Sequence, residues 1–157
     1  MNCHRRYFLR TLTSDFSYYR MSQQEKQQVV ERLRHELFLL PGVVFAFIYG
    51  SFNDDSSNFP FHDIDVGIYI TGMDKKESFY YSLDLSTRFT SLLKLPVDIR
   101  VLNFAPTTFC FHVIRGQLIV DKNEDVRCEF MERVTRHYLD MKPLYMRAIK
   151  EAFSYES

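Results

Sequence analysis

Residues 43–71, VVFAFIYGSFNDDSSNFPFHDIDVGIYIT, constrain this chain more than any other stretch. Two apolar, β-rich runs, 43–49 and 64–71, flank a loop rich in Ser, Asn and Asp that starts with Gly50-Ser51 and ends with His62-Asp63. The second run opens on alternating acids, Asp63-Ile64-Asp65. Side chains two apart in a strand share a face and stand about 6.5–7 Å apart. Both carboxylates therefore project together beside the Gly-Ser turn that ends the preceding strand. At an effective dielectric near 20 their repulsion costs about 2–3 kcal/mol. A divalent cation between them would reverse that sign.

The rest of the chain supplies layers around this pair. Ser22 and Glu25 form a capping-box pattern ahead of an apolar stripe at Val29, Val30, Leu33, Leu37 and Leu40, which predicts a helix over 22–40. Pro41-Gly42 stops it. Asp74 and Glu77 repeat the capping pattern and open a second helix over 75–93, with Phe79, Leu83, Leu85, Phe89, Leu92 and Leu93 on its expected buried side. A third strand over 97–102, a short helix over 106–114, a brief strand over 118–120 and a helix from Glu124 complete the order α-β-β-α-β-α-β-α. In the last helix Val126, Phe130, Val134 and Leu139 are expected to face inward, and Pro143 to kink or split it. This order implies an α/β (α+β) unit, a short mixed sheet packed by helices.

Composition removes several function classes. Twenty basic and twenty acidic residues cancel, which argues against stable nonspecific binding to nucleic acid or anionic membrane. No apolar run is long enough to span a membrane. Cys3, Cys110 and Cys128 are odd in number and carry no CxxC spacing, so reduced thiols and a cytoplasmic location are expected. Met21 heads the first clear helix signal and is a candidate start, which leaves residues 1–21 as an N-terminal extension.

Asp98 is the remaining acid of chemical interest. It lies between Val97 and Ile99 in an apolar strand, where an unpaired charge is costly. It either pairs with a basic neighbour such as Arg100 or Lys94, or faces the same edge as Asp63 and Asp65. Three convergent carboxylates beside a Gly-Ser turn suit two Mg²⁺ ions clamping a triphosphate. Backbone N–H groups and the hydroxyl of the turn would hold the outer phosphates.

Gly50-Ser51, the polar loop, Asp63-x-Asp65 and the downstream strand acid Asp98 together resemble the DNA polymerase β-type nucleotidyltransferase superfamily. Within it, the size of the chain and its tail YLDMKPLYMRAIKEAF (138–153) are similar to the minimal nucleotidyltransferase (MNT) antitoxins. The resemblance implies a polymerase β-like fold, with residues 22–157 as a single nucleotidyltransferase domain. It implies that Gly50 and Ser51 bind the nucleotide, and that Asp63, Asp65 and Asp98 are catalytic and hold Mg²⁺, with Asp98 also receiving the proton of the attacking hydroxyl. It further implies ATP as substrate, a HEPN-domain ribonuclease toxin as partner, and transfer of AMP to a tyrosine of that toxin. The loop between Ser51 and Asp63 has eleven residues, one more than is usual for these antitoxins, contains no Lys or Arg, and carries Asp54 and Asp55. Two other readings stay open: nucleotidyl transfer to a small molecule or an RNA end, and a noncatalytic subunit that neutralises its partner by binding.

Overall fold

A computed structural model of the chain describes residues 17–54 and 59–154. Four strands form one mixed sheet in the order β3-β2-β1-β4. Strands β1 (Val43–Tyr49), β2 (Ile64–Ile70) and β4 (Gln117–Asp121) pair antiparallel, whereas β3 (Val97–Val101) runs parallel to β2. A parallel neighbour needs a crossover, and α2 (Lys75–Leu93) supplies it. The remaining helices are α1 (Gln23–Leu39), α3 (Thr107–Val113) and α4 (Glu124–Ser154).

Strand alternation sends the two faces of β1 into separate cores. Ala46 and Ile48 join Val30, Leu33 and Leu37 of α1 and Leu85 and Phe89 of α2. Phe45, Phe47 and Tyr49 join Cys110 and Val113 of α3 and Phe130 and Val134 of α4. Both capping boxes form. The Glu25 N–H donates to Ser22 Oγ at 3.2 Å and the Glu77 N–H to Asp74 Oδ1 at 2.8 Å, each reciprocated by the glutamate. Two orphan donors are thereby satisfied at each helix start, which fixes where the helices begin.

Three expectations need correction. Phe79 and Leu83 are exposed, because Ser78, Leu85 and Phe89 set the phase of α2 and turn those two side chains toward water. Leu139 is exposed as well, since α4 leaves the body of the protein near that residue. Pro143 does not split α4, which continues to Ser154. The proline withdraws one donor, but in a stretch where water can serve the freed carbonyl. Cys3, Tyr7, Phe8, Phe16 and Asp55 lie outside the described residues.

Gly67 is where the sheet meets α3. A Cβ there would stand 2.5 Å from Val113 Cγ1 and 3.0 Å from Leu102 Cδ2. Val113 is β-branched and fully buried, so it has little room to yield. We expect Gly67→Ala to destabilise the fold by about 1–3 kcal/mol, as overpacking does. Urea unfolding of the two proteins measures it; equal midpoints would show that α3 can slide on the sheet.

Candidate active site

The site lies where β1 ends and β2 and β3 begin. Tyr49 is the register partner of Asp65 on one side, and Asp98 is its partner on the other. The three side chains form one row on the α3 face of the sheet, with Asp63 two residues before Asp65. Asp98 therefore does face the same edge as the Asp63-x-Asp65 pair, and it also pairs with Arg100, whose Nε donates to Asp98 Oδ2 at 2.9 Å. The two alternatives for Asp98 are realised together.

Gly50 leaves β1 with φ 75° and ψ −163°, a region that is essentially reserved for glycine. A Cβ at this position would also fall 2.4 Å from Asp65 Oδ2. Conformation and proximity thus both require the missing side chain. The chain then enters a single 3₁₀ turn, Ser51–Asn53, closed by the Asn53 N–H donating to the Gly50 carbonyl at 3.1 Å. The leading N–H groups of such a turn have no partner within it.

A buried lysine supports this turn. Lys26 of α1 is only 5 % exposed; its Nζ donates to the Asp54 carbonyl at 3.1 Å and sits 5.5 Å from the Phe52 ring and 5.9 Å from the Phe61 ring. Phe52 and Phe61 meet edge to face, and Phe61 exchanges backbone hydrogen bonds with Tyr19 at 2.8 and 3.0 Å. Both ends of the loop are therefore anchored on the core. His62 packs on the Tyr18 ring and hydrogen-bonds the Ser17 carbonyl, as expected of a loop residue.

The electrostatics follow from the row. Burial, then the charges of Asp63 and Asp98, push the Asp65 carboxyl up to about 6, and Arg100 opposes them. The Tyr49 phenol is pushed well above its ordinary range by burial and then by Asp65. Arg100 rests 5.6 Å from the Phe109 ring, and Phe109 and His112 of α3 both meet Tyr49 edge to face. Among the described residues no group of three or more His, Cys, Asp or Glu is gathered closely enough to hold a metal ion. The donor chemistry nevertheless suits a hard divalent cation. Asp63, Asp65 and Asp98 offer only carboxylate oxygens, and the repulsion that raises Asp65 is the cost a cation would remove.

Sequence reasoning did not find Lys26, and it weighed Arg100 only as a surface partner for Asp98. The spacing of Asp98 and Arg100 on an alternating strand was the available sign for the arginine. Lys26, inside the polar run QQEKQQ, carried none.

The family model described as "Polymerase beta, Nucleotidyltransferase" matches residues 31–125, which contain Gly50, Ser51, Asp63, Asp65 and Asp98. The chain belongs to the polymerase β nucleotidyltransferase family. Among solved structures, it is similar at 18 % identity and a TM-score of 0.61 to a chain from the complex of a tri-AMPylated Shewanella oneidensis HEPN toxin with an MNT antitoxin, covering 81 % of this chain and 98 % of that one. A chain of the toxin–antitoxin MntA–HepT matches equally at 18 % and 0.61, over 81 % and 99 % of the two chains. A chain of a toxin–antitoxin solved with AMP-PNP matches at 16 % and 0.59, over 83 % and 98 %. At these identities the likeness is one of fold. No curated protein matches the chain.

The charge of Asp65 is a stability cost built into this row. The Asp65 carboxyl titrates higher in the folded protein than in the unfolded chain, so its charge is a cost above pH 6 that fades as pH falls toward 4. We expect Asp65→Asn, in metal-free buffer, to raise the thermal midpoint by a few degrees at pH 7.5, with the gain shrinking below pH 6. Calorimetry across that range is the check; a variant less stable than wild type at every pH would contradict the repulsion.

Proposed function

We propose that this chain is an MNT-type antitoxin that transfers AMP from ATP to a tyrosine hydroxyl of a HEPN-domain toxin in the cytoplasm, using Mg²⁺. The observation that carries the reading is the contact of Gly50 with Asp65, in register with Asp98, inside the matched family span. The similar structures of an AMPylated HEPN toxin with an MNT antitoxin, and of a toxin–antitoxin with AMP-PNP, support the choice of acceptor and nucleotide.

In this reading the Gly50-Ser51 turn takes the outer phosphates through its N–H groups and the serine hydroxyl. Asp63, Asp65 and Asp98 would hold Mg²⁺, which supplies charge neutralisation on the triphosphate when bound. The acceptor oxygen forms a bond to the α-phosphorus, the α–β bridging P–O bond breaks, and pyrophosphate leaves. Asp98 receives the hydroxyl proton, and Arg100 is the cation that shares its carboxylate. Lys26 keeps the turn seated from beneath. We take residues 22–157 as the catalytic domain, and residues 17–21 join it through the Tyr19–Phe61 bridge.

The test is transfer of label from ATP, radiolabelled at its α-phosphate, into lysate of the source cell, with protease and ribonuclease applied separately. We expect a protease-sensitive band whose labelled residue is tyrosine by mass spectrometry, absent with the Asp63→Asn/Asp65→Asn protein and absent without Mg²⁺. Equal labelling by that variant would refute the assignment of the acids. A ribonuclease-sensitive product would move the chemistry to RNA.

A further inference from the structure

Helix α4 leaves the body of the protein after Met141, and residues 142–154 are all exposed. Leu139, Lys142, Met146, Ile149 and Phe153 recur at alternating steps of three and four residues, so they line one side of the helix. Four of the five are apolar and more than half exposed, Phe153 at 73 %. Residues 142–154 extend α4 with little burial of their own, and an exposed apolar stripe of this kind marks an interaction surface. At its base, between α3 and α4, lies a groove of about 480 Å³ walled by Phe111, His112, Arg115, Tyr138, Tyr145 and Ile149. His112 links the groove to the acids: its ring centroid is 5.7 Å from that of Tyr49, the register partner of Asp65.

Charge narrows the occupant. From Leu139 to Ser154 the helix carries Lys142, Arg147 and Lys150 against Asp140 and Glu151, and the groove adds Arg115. Two copies laid along this stripe would set basic against basic, which disfavours self-pairing. An anionic lipid surface would suit the charges, but a flat bilayer does not fill a recessed aromatic groove, whereas a protein side chain does. We propose that this groove and the stripe beyond it dock the protein that accepts the nucleotide, through an apolar face of that protein with acidic flanks. The proposal rests on the reading that the acceptor is a protein; it adds where that protein binds and what its contact face is made of.

The test pairs a docking variant with a crosslink. Met146→Asp/Ile149→Asp alters exposed positions only, so its circular dichroism and its binding of Mg·ATP by calorimetry should match wild type. We expect it to need about tenfold or more acceptor for the same rate of label transfer, the loss that removing a central apolar contact produces. A benzophenone photocrosslinker placed at Phe153 should capture the same protein that takes the label. Unchanged transfer by the variant would overturn the docking surface, as would a crosslink to a second copy of this chain. Loss of flotation with phosphatidylserine vesicles, with transfer intact, would make the stripe a membrane foot and overturn it too. If the wild type labels no protein, the failure lies with the reaction, and the docking proposal falls with it.

Discussion

The functional end of this molecule depends on an absent side chain. Gly50 lets β1 end against the Asp65 carboxylate at a backbone geometry that other residues do not adopt, with no room for even one more carbon. From that contact the rest follows. The turn Ser51–Asn53 starts directly after the contact, its leading N–H groups stand beside the acid row, and Phe61 packs on Phe52 two residues ahead of Asp63. A larger residue would either swing the turn away from β2 or push Asp65 out of register with Asp98. The proposed nucleotide site and the end of the sheet are one construction.

That construction is electrostatically expensive, and the fold spreads the cost. Asp65 has acids on both sides and is half-buried, so its charge is opposed by solvent exclusion and by its neighbours. Arg100 offsets part of this from β3, on the strand position that alternation places beside Asp98, and Phe109 steadies the guanidinium. On the other side of the turn, Lys26 replaces the missing surface cations of the loop with a buried one. It is held by a carbonyl and two aromatic faces rather than by a carboxylate. Among the described residues the acid row has an ion-pair partner only at Asp98. Stability is given up at the row and regained in the two apolar cores that clamp the sheet.

The sequence made this legible wherever local physics decided the outcome. Both capping boxes, the apolar runs of β1 and β2, and the alternation that sets Asp63 beside Asp65 depend on near neighbours, and the structure reproduces them. Gly50-Ser51 was readable as the turn that ends β1 beside the paired acids, and the structure has that turn. What was not legible depended on contacts far apart in the chain. Lys26 is buried because Asp54, Phe52 and Phe61 close over it, roughly thirty residues downstream. Phe79 and Leu83 fit an apolar stripe, but which arc of α2 touches β3 is fixed by tertiary packing, and Ser78 takes the buried position instead. Leu139 fits the apolar stripe of α4, but the helix leaves the body of the protein near that residue, and Pro143 does not split it.

The division of the chain makes sense of that last error. The family match spans residues 31–125, from the middle of α1 to the first turn of α4, and every proposed chemical residue falls inside it. The exposed end of α4 falls outside. Nucleotidyl transfer needs one geometry around a triphosphate whatever the acceptor, so the shared span can carry the chemistry unchanged. The acceptor is the variable partner, and the residues that recognise it gain nothing from lying in the common core. The apolar, basic end of α4, which shares a groove with the site's neighbour α3, is where the proposed recognition could change without disturbing Gly50, Asp65 and Asp98. Periodicity placed Leu139 inward because an exposed apolar stripe and a core face obey the same spacing.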